Sequence, residues 1–295
     1  MTHPFAKGGQ WAWFHDENHP GGYFHTYDAL RLQDSSPRKV HVFLPREYEQ
    51  ERDRYPVVYM NDGHTAFFPG GIAHLSWDTA TTLSQLYAAQ AIQKLIVVAI
   101  HPLNRDWEYT HVPILSGSGG GLGTYSHYLA HFLKPFIDEH YRTQSQASQT
   151  TILGSSHGGL AAFYTACQYP QQFGNAGALS PSFWVELDAS ARLFDSLESS
   201  KLLKLTAPTL ENKQIRPLFW LDWGRIRSGG FHNWFIERHA AKRTREMAHL
   251  LQQEYDYTLG KELFVYEDFN GEHTEISWAK RLPFVLRALY PPKSA

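Results

Sequence analysis

Between residues 39 and 289, short runs rich in β-branched and aromatic residues alternate with longer stretches whose apolar residues recur at helical spacing. Few architectures satisfy that order. The strand-length runs fall at 39–44, 56–60, 95–100, 150–153, 176–179, 217–223 and 262–266. Helical periodicity occupies 77–91, 125–139, 158–169, 234–254 and 276–289. A helix between successive strands supplies the long crossover that parallel pairing needs, and it covers one face of the sheet. No helix intervenes within 23–44, so the sheet is expected to begin antiparallel. The expected fold is a three-layer α/β domain with a mostly parallel central sheet. One domain over 1–295 is expected, because no repeat, proline-rich linker or charge shift marks a boundary. The segment carrying Trp11, Trp13, His15 and His19 shows no clear periodicity, and its place stays open.

Composition narrows the function classes. With 42% apolar residues and 22 glycines in 295 positions, there is ample material for a core of this size. Lys plus Arg against Asp plus Glu gives 27 − 29 = −2, which offers no basic footprint for nucleic acid. The single cysteine, Cys167, forbids an internal disulfide, and Met1-Thr2-His3-Pro4-Phe5 lacks the charged region and apolar run of an export signal. A cytoplasmic location is the resulting expectation. Apolar runs such as 95–100 are far shorter than the ~20 residues of a membrane span, so no membrane partner is expected. Oligomeric state is not legible.

Ile152-Leu153-Gly154-Ser155-Ser156-His157-Gly158-Gly159 sets Gly-x-Ser-x-Gly directly between a strand-like run and a helix-like one. A tight strand-to-helix turn strains its central residue, and small neighbours let strand and helix approach closely. Ser156 is the candidate nucleophile. The helix that follows would turn backbone N–H groups toward any oxyanion formed there. The competing reading is a glycine-rich helix start with a capping serine, and the strand before it argues against that.

A serine on such a turn takes its acid and base from later in the chain. His239 and His249 sit inside a charged helical stretch, and His232 lies in a polar loop. His273, in Phe269-Asn270-Gly271-Glu272-His273, follows the last strand-like run and precedes the last helix, where a general base would return over the serine.

With these residues identified, the chain from about residue 39 to 290 resembles the putative esterase family, the group that includes esterase D-like proteins, siderophore esterases, some feruloyl esterases and mycolyltransferases. Further matching strings are Phe43-Leu44-Pro45, Tyr55-Pro56-Val57-Val58-Tyr59, Asp62-Gly63, Arg105 with Glu108-Tyr109, and Ala178-Leu179-Ser180-Pro181-Ser182-Phe183-Trp184. The resemblance implies an α/β-hydrolase fold without a large cap domain, and cofactor-free hydrolysis of carboxylic esters with no metal. It also implies that His64 gives a second oxyanion N–H beside that of His157. One departure concerns the acid. The family places a carboxylate about three residues beyond the glycine of Leu221-Asp222-Trp223-Gly224, and Arg227 stands there. Asp222 is the expected substitute; Asp268, Glu237 and a serine–histidine dyad are the alternatives.

Other signals are weaker. His15-Asp16-Glu17-Asn18-His19 matches no zinc spacing, and the glycine-rich 116–123 lacks the Lys-Ser/Thr of a phosphate loop. Arg105, Trp184 and Trp223 are candidate substrate contacts for an aromatic or anionic ester. The expected function is a serine carboxylester hydrolase acting on a small or aromatic ester. The alternatives are a siderophore-lactone or S-formylglutathione-type hydrolase, an acyltransferase, and a binding protein on a hydrolase fold.

Overall fold

The computed structural model describes residues 2–71, 73–114, 117–188, 195–228 and 234–292. Its strands are β1 Thr2–Lys7, β2 Gln10–His15, β3 Gly22–Leu30, β4 Arg38–Pro45, β5 Val57–Met60, β6 Ile96–Ile100, β7 Thr150–Ser155, β8 Asn175–Leu179, β9 Leu218–Gly224 and β10 Leu263–Asp268. Its α-helices are α1 Gly63–Ala66, α2 Thr79–Ala88, α3 Arg105–Tyr109, α4 Leu122–Tyr128, α5 Lys134–His140, α6 His157–Gln168, α7 Lys201–Glu211, α8 Trp234–Gln253 and α9 Glu275–Leu289.

The ten strands form one sheet in the order β1-β2-β3-β4-β6-β5-β7-β8-β9-β10. Pairing is antiparallel from β1 through β4 to β6 and parallel from β6 through β5 to β10. The mixed α/β architecture with an antiparallel start is the one expected from the sequence.

Alternate strand residues point to opposite faces, and the central strands are apolar on both. Val40, Val42, Tyr59, Ile96, Val98 and Ile152 enter one core, where α6 adds Leu160 and Phe163 and α8 adds Met247 and Leu251. Phe43, Val58, Met60, Val97, Ala99 and Leu153 enter the other, against Leu83 and Leu86 of α2 and Leu282 and Val285 of α9. Helices cover both faces, giving three layers.

Two further elements were not among those expected from the sequence. The segment with Trp11 and Trp13 is β2, half of a hairpin that extends the sheet at its antiparallel edge. Both tryptophans sit on its open face, 75% and 44% exposed, while only Ala12 between them is buried. Aromatic residues on the solvent side erase the polar half of a strand's alternation. Helix α7, not among the helical stretches expected from the sequence, buries Leu202, Leu203, Thr206 and Leu210 and carries Pro208 in its interior. The predicted helix 125–139 is three segments: α4, a π turn over Leu129–Leu133, and α5 with a proline in its first turn. Pro135 has no N–H to donate back, and the wider π turn accommodates that loss.

Candidate active site

Strand β7 ends at Ser155, helix α6 begins at His157, and Ser156 alone makes the turn, with φ 53° and ψ −122°. A serine pays about 1–3 kcal/mol for such a backbone, so the surroundings must hold it there. They do so through hydrogen bonds: Ser156 N–H donates to the Leu179 carbonyl at 3.0 Å, while the Ser156 carbonyl accepts from Gly159, Leu160 and Ser182 N–H at 3.1, 3.1 and 2.9 Å. Gly154 is required by closeness, because a Cβ there would fall 2.5 Å from the Gly158 carbonyl oxygen. The Ser156 hydroxyl lies 3.2 Å from that of Ser182.

Ser156 lines a cleft of about 220 Å³, with Asp62, His64 and Arg105 on its wall together with Glu275 and Trp278. His64 arrives there on the short helix α1. The start of that helix sits so close to β6 that a Cβ on Gly63 would come within 2.7 Å of the Ala99 and Ile100 backbone. Arg105 clamps Asp62 with two hydrogen bonds, Nε to Oδ1 at 2.7 Å and Nη2 to Oδ2 at 2.9 Å. Its Nη1 also lies 3.3 Å from His157 Nδ1. The Arg105 charge is therefore largely balanced by protein before any substrate arrives.

His273 is buried in the turn between β10 and α9. That turn is fixed by Thr274, whose side chain caps α9 by accepting from Ser277 N–H, and by Glu272 N–H donating to Ser277 Oγ at 2.9 Å. The His273 ring meets Trp278 edge-on, with centroids 5.0 Å apart. Trp278 thus lines the cleft that holds Ser156 and packs against His273, which brings the two predicted residues to one tryptophan. No hydrogen bond joins Ser156 to His273 among the described residues; the serine hydroxyl is engaged with Ser182 instead.

Asp222 has other partners than the expected one. Fully buried at the end of β9, it accepts from Trp220 Nε1 at 2.9 Å and Ser180 N–H at 3.1 Å, and it pairs with Arg281 Nη1 at 3.1 Å. No hydrogen bond runs from Asp222 to His273 among the described residues. Burial pushes its carboxyl up, and the Arg281 charge and the two hydrogen bonds pull against that rise. Arg281, one turn beyond Trp278 on α9, also donates to Ser180 Oγ at 3.0 Å. A guanidinium reaching in from the last helix is what takes this aspartate.

The candidate substrate contacts divide. Arg105 is on the cleft wall. Trp184 is not among the cleft residues; it packs 6.0 Å from the His157 ring and 6.1 Å from Phe235. Trp223 lies on the far side of His273, with Arg245 stacked over its ring. His232 lies outside the described residues. Trp278 and Arg281 carry no motif of their own, although both follow His273 within about two helical turns, whereas Ser182 falls in the 178–184 string that already carried the resemblance.

The profile of one family matches residues 34–289, nearly the whole chain, and its description reads Putative esterase. The chain belongs to that family. As a member it is an enzyme of the carboxylester hydrolase class. It is 29% identical over 178 residues to the uncharacterised protein YbbA of Bacillus subtilis, covering 58% of this chain and 67% of YbbA. An IroE-like serine hydrolase from Shewanella oneidensis superposes with a TM-score of 0.65 at 20% identity, over 90% of this chain and 79% of that one. The siderophore hydrolase EstA of Aspergillus nidulans gives 0.62 at 18% identity, over 87% and 92%. At those identities the two structures share the fold, and the α/β-hydrolase architecture of this esterase is the common feature. No helix among the described residues is long and apolar enough to cross a membrane.

Proposed function

We propose that this esterase works through a covalent acyl-enzyme, with Ser156 as nucleophile and His273 as general base. The observation that carries the reading is the backbone of Ser156, held at φ 53° between β7 and α6 and lining an open cleft. A strained serine over-determined by its hydrogen bonds and opening on a cleft is what a nucleophile requires and a capping serine does not. His273 takes the hydroxyl proton as Oγ attacks the ester carbonyl, then returns it to the departing alkoxide. Water, deprotonated by the same imidazole, cleaves the acyl-serine, so ester and water give acid and alcohol. The oxyanion would be held by the backbone N–H groups of His157, at the start of α6, and His64.

The substrate reading is a small or aromatic ester. A cleft of about 220 Å³ walled by Trp278 and His64 suits a compact acyl group with a flat face. Arg105, already paired with Asp62, would offer an anionic group only its outward N–H. A siderophore-type ester is the second reading, supported by the likeness in fold to the siderophore hydrolase EstA.

The test is Ser156→Ala in the full chain, assayed with p-nitrophenyl acetate and a fluorophosphonate probe. Loss of both hydrolysis and labelling, with an unchanged melting curve, is expected; retained hydrolysis would remove Ser156 from the mechanism. A panel of aliphatic, aromatic and macrolactone esters would then separate the substrate readings.

A further inference from the structure

We propose that Glu237, facing His273 across a shared void, is the carboxylate that stabilises its charged form, in place of Asp222. The proposal rests on the reading of Ser156 and His273 as nucleophile and base, and it concerns what stabilises that base.

Three observations converge. The Asp222 carboxylate is already committed to Arg281, Trp220 and the Ser180 N–H. Glu237, in the first turn of α8, is 4% exposed, although glutamate is among the residue types least often buried. It lines, with His273, Arg227 and Trp223, one narrow void that has no room for a water molecule. Charges that share a space without solvent between them interact far more strongly than the same charges in water.

Arg227 makes the need for a carboxylate concrete. It occupies the position at which the sequence pattern calls for an acid, and its Nη1 is anchored to the Gly224 carbonyl at 2.7 Å. A guanidinium on the wall of this void opposes the imidazolium that must form when His273 accepts the serine proton. Glu237, on the same wall, offsets it, and Ser228 Oγ donates to Glu237 Oε1 at 3.4 Å from the loop between them. The chain has thus placed a cation where an acid is expected and brought an acid in from the next helix. Among the described residues, the charged groups that line this void with His273 are Arg227 from the loop after β9 and Glu237 from α8; the Asp222–Arg281 pair joins β9 and α9, and Glu275 opens the helix that follows His273. Glu237 is not among the cleft residues, and no hydrogen bond or ion pair joins it to His273 among the described residues, so its role is to stabilise the charged form of the ring across the void.

The experiment compares Glu237→Gln, Glu237→Asp and Asp222→Asn in the full chain, following kcat/KM for p-nitrophenyl acetate from pH 4 to 9 together with a melting curve. Removing a carboxylate makes the imidazolium harder to form, so the acid limb of the profile moves to lower pH. Glu237→Gln is expected to lower kcat on the order of 100-fold with KM nearly unchanged and to move that limb down by about one unit. Glu237→Asp should restore part of the loss. Asp222→Asn should leave the limb in place. Activity of Glu237→Gln within about threefold of the parent, or a limb that moves in Asp222→Asn and not in Glu237→Gln, overturns the proposal. Should Glu237→Gln fail to fold, Arg227→Gln decides: an acid limb displaced to higher pH supports a charge-tuned void, and an unmoved one overturns it. Failure of the underlying reading is seen separately, as hydrolysis that survives Ser156→Ala.

Discussion

The hydroxyl of Ser156 lies 3.2 Å from that of Ser182, a fully buried residue whose own N–H donates to the Ser156 carbonyl. The resting Ser156 hydroxyl is therefore engaged by a residue two beyond Ser180, whose N–H anchors Asp222, and in the proposed mechanism that contact is exchanged for one with His273. Such a bond is worth about 1 kcal/mol net. Ser182→Ala is accordingly expected to speed fluorophosphonate labelling of Ser156 by up to about fivefold, with little change in melting temperature. Labelling slowed by more than tenfold would show that Ser182 assists the reaction instead.

The elbow depends on contact as much as on conformation. A methyl group on Gly154 would meet the Gly158 carbonyl oxygen at 2.5 Å and its carbon at 2.6 Å, backbone atoms that cannot swing aside as a flexible side chain would. Gly154→Ala is expected to cost about 2 kcal/mol or more in urea unfolding, through overpacking. Stability within 0.5 kcal/mol of the parent would mean that β7 and α6 separate more easily than their packing suggests.

Arg281 and Asp222 form a buried pair whose halves are unequal when alone. Arg281→Met would leave the aspartate buried with only Trp220 and Ser180, and is expected to destabilise by about 3 kcal/mol. Adding Asp222→Asn to it should recover part of that loss, because no charge is then stranded. Equal stability of the single and double variants, by denaturant titration, would argue that the pair is not coupled.

Two buried histidines and a half-buried third make the fold sensitive to acid. Burial is the main cause that lowers His25 and His41 to about 3 and His101 to about 4 from the usual 6.5. Their folded values lie below the unfolded one, so between about pH 6.5 and 3 the unfolded chain binds more protons and stability falls as pH falls. At pH 5, His25 and His41 would each withdraw on the order of 2 kcal/mol relative to neutral pH. Calorimetric melts at pH 7 and pH 5 should differ by many degrees, and His41→Asn should narrow the gap. A melting temperature that is flat across that range would show the imidazoles to be hydrated.

The alternation of strand and helix was legible because each element is defined over a few residues by period and punctuation. The serine turn was legible for the same reason: Gly154, Ser156 and Gly158 lie within five residues, and closeness of the chain demands the two glycines, while the serine is held against its backbone preference. The site of His273, after the last parallel strand, follows from strand order. The first hairpin was not legible, since Trp11 and Trp13 face solvent and imitate a buried surface.

Sequence alone thus determined the three layers, the elbow and the place of the histidine, all of which are local patterns repeated along the chain. Tertiary structure decided which groups surround them: Arg281 reaches Asp222 from the final helix, Ser182 holds the serine hydroxyl, and Glu237 joins His273 in one void. Those choices depend on side chains that converge from elements far apart in sequence. Their direction is set only when the helices pack, because ion pairing in a solvent-free interior depends on distances of a few ångströms that no local pattern encodes.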